Sequence, residues 1–204
     1  RFARALAENA LPRRDTVRRF SVLYEGKRIG AHTIWQYPTT EEVRITTVID
    51  LQVKALFFTA FSFKHRSEEN WHAGQLVSLK SETIEHGKTL QVAGVATDQG
   101  FRVAGEGDFI IAARDALTSN DLWTPAVLQQ VSVIDAQHGG IIGISVRKFD
   151  DQEIEISGGR QVHAKRYRFI TPYLAGNIWY DEENLWVHGE FERDAAQIVY
   201  QLDT

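Results

Sequence analysis

The chain has no cysteine and no methionine, and it has no apolar run near the roughly 18 residues that a membrane-spanning helix needs. Without cysteine there is no disulfide, no thiolate nucleophile and no cysteine-ligated metal. A cysteine-free chain suits a cytosol and a bacterial periplasm equally, so cysteine usage leaves the compartment open. Methionine is missing even from position 1, and we expect a chain that begins after processing, with a signal peptide removed. Excess positive charge is also missing. The 23 Lys and Arg stand against 27 Asp and Glu, a formal net charge of -4, which argues against nucleic acid as a partner. What is present is 43% hydrophobic and 25% charged residues over 204 positions, the composition and length of one soluble globular domain.

Charge is unevenly placed. Residues 1–19 carry six Arg against Glu8 and Asp15, whereas the stretch from Trp179 onward carries seven acidic residues against Arg193. Residues 1–16 read as a basic, partly helical arm, with Phe2, Leu6 and Ala10 spaced by four and Pro12 as the stop. Such an arm suits contact with a partner protein or an anionic surface.

From Val17 the period changes to two. Phe20, Val22 and Tyr24 alternate, the turn Glu25-Gly26-Lys27 follows, and Ile29 to Tyr37 and Val43 to Val53 repeat the pattern. Long strands joined by tight turns predict an antiparallel meander over 17–204. Two runs, Ala55–Phe63 and Ile141–Val146, are uncharged throughout and predict central strands covered on both faces. The Gly158-Gly159 pair suits a two-residue hairpin. One segment near 122–130 breaks the strand pattern. Thr124 is a good N-cap, Pro125 fits the first helical position, and Trp123 with Leu128 suits a hydrophobic staple. The expectation is a short helix covering the aromatic strand at 55–63, with Trp123 as its anchor.

Chemistry-bearing motifs are sparse. The seven His include no pair at helical metal-ligand spacing, Gly143-Ile144-Ser145-Val146-Arg147 lacks the last glycine of a nucleophile elbow, and no phosphate-binding glycine loop occurs. No cofactor, metal or catalytic residue is assigned. The densest polar cluster runs from Lys64 to His72. There His65 as a base oriented by Glu68 or Glu69 is the alternative, enzymatic reading, as a hydrolase or isomerase. A structural adaptor acting through a sheet edge and the Arg-rich arm is a further alternative. Aromatic residues are abundant, and large antiparallel shells enclose ligand cavities. Trp35, Phe61, Phe63, Trp71 and Trp123 are the expected ligand-binding residues, for a hydrophobic small molecule or lipid.

Four segments carry a family resemblance: FSVLYEGKRIGAH, FKHRSEENWHAGQLVSLKSETIEHGK, DLWTPAVL and NIWYDEENLWVHGEF. Together, over roughly Phe20 to Leu202, they resemble a family of exported proteobacterial proteins of unknown function, which is similar in turn to the lipoprotein-localisation-factor type of fold. The resemblance implies a mainly β protein: a single strongly curved antiparallel sheet, a half-open barrel wrapped around one or two short helices, with a hydrophobic cavity. It also implies a periplasmic location and supplies no catalytic residues. The resulting expectation is a non-catalytic periplasmic binding or carrier protein for an apolar or amphipathic, lipid-like ligand.

Overall fold

A computed structural model of the chain describes residues 15–55, 58–193 and 196–203, and the side chains of all these except 54, 55, 58–60 and 193. The expected helix at 2–11 lies outside the described residues. Eight strands run as a first meander: β1 (Thr16–Tyr24), β2 (Lys27–Pro38), β3 (Glu42–Ala55), β4 (Phe58–His72), β5 (Gln75–Glu85), β6 (Lys88–Thr97), β7 (Gly100–Ala104) and β8 (Ile110–Ala112). A connector at 113–144 holds two short 3-10 turns, Asp121–Trp123 and Pro125–Gln129, and the small hairpin β9 (Ser132–Ile134) and β10 (Ile141–Gly143). A second meander follows: β11 (Ser145–Lys148), β12 (Gln152–Ile156), β13 (Arg160–Ile170), β14 (Ala175–Asp181), β15 (Trp186–Arg193) and β16 (Ala196–Leu202).

The two meanders form one antiparallel sheet, because β16 pairs with β1 in register Phe20↔Leu202. The sheet stays open, with β8 at one end of the strand order and β11 with β12 along β13 at the other. Tight turns set the register. Tyr24↔Lys27, His72↔Gln75 and Glu85↔Lys88 each enclose two residues, and in each the first residue and the following glycine have φ near +50° and +75°. Two positive φ values match the right-handed twist of the flanking strands, and glycine at the second position removes half of the steric cost.

Alternation then sorts the side chains. Phe63, His65, Ser67, Glu69 and Trp71 on β4 are all buried, whereas Lys64 and Arg66 between them are exposed. The same parity on β1, β2 and β3 sends Phe20, Ile34 and Ile45 into one main core that also takes Trp186 and Tyr180 from the second meander and Leu117, Val127 and Ile134 from the connector. A core that unites both wings of one open sheet with the connector requires the sheet to curve around it.

The connector is tied to both wings. The Tyr180 hydroxyl donates to the Leu122 carbonyl (2.8 Å), and the Ser81 hydroxyl donates to the Ala136 carbonyl. At Gly105, just past β7, the connector backbone at His138 and Gly139 comes so close that a Cβ would collide with the His138 carbonyl oxygen.

Several expectations need correction. The Ala55–Phe63 run is not one strand: Ala55 pairs with Phe58, so the chain reverses inside it. Ile141–Val146 is not a central strand either. It splits between β10 and the edge strand β11, and Ile141 is exposed, because the chain passes at Gly143 and Ile144 from the two-stranded β9–β10 sheet to the main sheet. The helix near 122–130 is two 3-10 turns; its Thr124 cap is present, accepting from the Ala126 N–H at 3.3 Å, with Pro125 first in the turn. Ser157, Gly158 and Gly159 form a three-residue loop with both glycines at positive φ, instead of a two-residue one.

Candidate functional site

The concave face has two neighbouring regions, one polar and closed, the other apolar and partly exposed. The polar region follows from β4. Its inward residues His65, Ser67 and Glu69 are polar in a place where the sheet otherwise buries apolar side chains, so each needs a partner. The connector supplies most of them. The Asn120 amide donates to the Ser67 hydroxyl (2.8 Å) and to His65 Nε2 (3.1 Å). Since the amide donates there, Nε2 is the lone-pair nitrogen, and Nδ1–H faces the Thr83 hydroxyl at 2.8 Å. Burial holds the His65 pKa down to about 4, so the ring is neutral.

Glu69 and Asp121 meet at the centre of this contact, exposed by only 1% and 0%. Glu69 accepts from the Thr118 hydroxyl (2.7 Å) and from the Trp71 indole N–H (3.2 Å). Asp121 accepts from the Thr118 backbone N–H (2.6 Å) and the Trp123 indole N–H (2.9 Å). Burial and the neighbouring Asp121 push the Glu69 carboxyl well above the usual carboxylate range, and burial raises Asp121 as well. The pair holds a proton on Glu69, which donates towards Asp121. Chemically this is a latch: it ties the first connector turn to β4.

The second region lies beyond His65 toward the β3–β4 turn. Val22, Ile49, Leu51 and Phe63 form a separate apolar cluster, and Ile29, Phe61, Ile198 and Tyr200 pack on it half-buried. No connector residue belongs to this cluster. Phe61 and Phe63 stack in parallel at 6.5 Å. Beside it on β2, in register with Ile49 and 5.8 Å from the Tyr200 ring, sits His32, 4% exposed, with neither ring nitrogen hydrogen-bonded among the described residues. Burial, with His65 nearby, holds its pKa down to about 3. An unpaired buried polar group costs about 1–3 kcal/mol.

The structure thus separates the five expected ligand-binding residues. Phe61 and Phe63 lie together in the partly exposed cluster. Trp71 in the main core stands edge-on, at 6.0 Å, to Trp123 of the connector, which packs against that core half-buried. Trp35 alternates to the face opposite His32 and Ile34 and joins none of the core clusters. The connector covers β4 from His65 to Trp71, with no partner in the Phe61–Phe63 cluster, so the expected cover lies lower along the strand than the sequence suggested. His65 and Glu69 do share a face, whereas Glu68 alternates away from it; the His65 ring is held by Thr83 and Asn120 and by neither glutamate. The sequence reading missed His32, Asn120, Thr118 and Asp121. His32 carried a signal, a titratable residue at an inward position of an alternating strand; the other three lie in a segment without usable periodicity.

Among the described residues there is no cluster of three or more metal-ligating side chains, and no helix long and apolar enough to cross a membrane. A cleft of about 610 Å³ opens elsewhere, at the strand ends around Tyr37, Arg44, Asn70 and His72.

No curated protein matches this chain. A solved structure similar to it is the crystal structure of a beta-barrel-like protein of domain of unknown function DUF1849 from Brucella abortus. The two share 10% sequence identity and a TM-score of 0.65 over 96% of this chain and 98% of that one. At that identity the likeness concerns the fold, and it agrees with the one large, open antiparallel sheet described above. The family description "Domain of unknown function (DUF6134)" matches residues 20–203, the whole sheet from Phe20 to Asp203, and the chain belongs to that family.

Proposed function

We propose that this protein is a non-catalytic binding or carrier protein for an apolar or amphipathic, lipid-like ligand, held on the part of the concave face that the connector leaves free. The observation that carries this reading is the cluster of Phe61, Phe63, Leu51, Ile29, Ile198 and Tyr200, half-buried in part and without any connector residue over it. Apolar surface of this kind gains roughly 25 cal/mol per Å² when a ligand removes it from water. Concave, mostly apolar surfaces with few polar groups are the usual form of small-molecule sites. The proposed place of work is the periplasm, after export, in keeping with the family resemblance of the four sequence segments.

An enzymatic reading has less support. Both nitrogens of His65 are engaged by neutral partners, and Glu69 lies beneath the connector, away from any substrate. Native mass spectrometry of the gently purified protein tests the proposal. Expected are adducts of lipid mass on the wild type and their loss in Phe61→Glu, which places a charge on the apolar face. A clean unliganded mass for the wild type would overturn it.

A further inference from the structure

His32 is unusual among the buried side chains of the concave face. Buried polar groups are nearly always paired, yet both of its ring nitrogens lack a hydrogen-bond partner among the described residues. Its surroundings explain why none is at hand. The ring stands edge-on to Trp186 and Tyr200, with centroids at 5.5 and 5.8 Å, and 6.1 Å from Phe20. Its cross-strand neighbours in register are Phe20 on one side and Ile49 on the other.

Between His32 and the partly exposed cluster stands Gly30. Alternation makes Gly30 the next inward position of β2, paired with Val22 and Leu51. A Cβ at Gly30 would collide with the Asp50 carbonyl oxygen. The position therefore carries no side chain, and Gly30 is itself partly exposed between Val22 and Leu51, two residues of the apolar cluster on which Ile29, Phe61, Ile198 and Tyr200 pack.

We infer that His32 is the ligand-recognition residue of this site, and that it reads a neutral hydrogen-bonding group, a hydroxyl or a carbonyl, on an otherwise apolar ligand lying across Gly30 against the partly exposed cluster. The inference rests on the apolar-site reading and names its ligand class. A neutral imidazole offers one N–H and one lone pair, a match for a hydroxyl. The His32 pKa, held down to about 3, keeps the ring uncharged near neutrality, so it gives a carboxylate no counter-charge. A carboxylate brought to this ring would be desolvated against one N–H and no counter-charge, whereas a plain hydrocarbon would leave both nitrogens unpaired.

The test uses the full chain and N-phenyl-1-naphthylamine, a dye whose emission rises in apolar surroundings. Decan-1-ol and decanoate then compete with the dye at neutral pH, on wild type and on His32→Phe. Decan-1-ol is expected to displace the dye at about tenfold lower concentration than decanoate, and His32→Phe to raise the decan-1-ol requirement about tenfold, the worth of one neutral hydrogen bond. In the wild type, the 15N resonances of the His32 ring are expected to shift with decan-1-ol and to stay put with the dye, a readout that needs no variant. Dye binding with equal decan-1-ol competition on both proteins, or unmoved ring resonances, would overturn the role of His32 and leave the apolar site standing. No dye binding at all would overturn the apolar-site reading, and this inference with it.

Discussion

Asp121 accepts one N–H on each carboxylate oxygen, from the Thr118 backbone and from the Trp123 indole. An amide in its place would turn an NH₂ toward one of these donors. Asp121→Asn is therefore expected to cost about 2–4 kcal/mol, since it leaves buried donors unpaired. Glu69 is the opposite case. Its acceptors face the Thr118 hydroxyl and the Trp71 indole, and its carboxyl keeps a proton well above the usual carboxylate range. A group whose pKa is raised by folding contributes fully below its unfolded value and loses that contribution as pH rises toward its folded one. Glu69→Gln cannot ionise, and its NH₂ can turn to the Thr118 hydroxyl, which accepts as well as donates, so it should be near neutral at about pH 5 and gain on the wild type by about pH 8. Urea unfolding at the two pH values measures the difference; a gain that shrinks with rising pH would show that Glu69 is ionised in the folded protein. At this scale the sequence was partly readable. Alternation puts Glu69, and not Glu68, on the face of His65, but no spacing announces that the partners of both come from a connector some 50 residues away.

Among the elements, the connector shows how local signals and tertiary contacts divide the work. The Thr124 cap and Pro125 are sequence features, and both act as expected. They start a turn but do not decide how far it runs. Two 3-10 turns form instead of a longer helix because the segment is stretched between wings, with Thr118 and Asn120 tied to β4, Leu122 to β14 and Ala136 to β5. Backbone contact at Gly105 sets how close it lies. Gly105→Ala would force the His138 carbonyl away, and we expect a loss of about 2–4 kcal/mol of the kind seen for core overpacking and strain. A thermal melt followed by tryptophan fluorescence reads it, because Trp71 and Trp123 report the connector's contact with β4. An unchanged melting temperature would mean that the connector yields freely at this point.

For the whole molecule, the pairing of β1 with β16 is decisive. These strands come from the two ends of the described chain, yet they sit in the middle of the strand order. Their contacts span nearly the full chain, so folding must close its longest loop before this pairing stabilises anything, which favours slow folding. Deleting residues 196–203 should leave β1 and β15 as bare, long edges. The expected result is aggregated protein on size-exclusion chromatography; a soluble, cooperatively melting truncation would show that the two meanders stand without their seam. The free ends of the sheet look different. β8 has three residues and β11 four, short edges of the kind that resist further pairing.

Alternation, turn residues and the absence of cysteine are local properties, and they were enough to establish an antiparallel meander of long strands, most of its hairpins and an inward face on β4. They were enough because a period of two leaves each strand only two ways to face, and burial of the apolar set chooses between them. Curvature, the open seam and the division of the concave face were decided by tertiary structure. An apolar inward residue has the same local pattern whether a connector covers it, as at Trp71, or leaves it half-exposed, as at Phe61. The same holds for His32: its position in an alternating strand says that it is buried, and only the aromatic rings of Trp186 and Tyr200, brought around it from strands far along the chain, leave its nitrogens without a partner among the described residues.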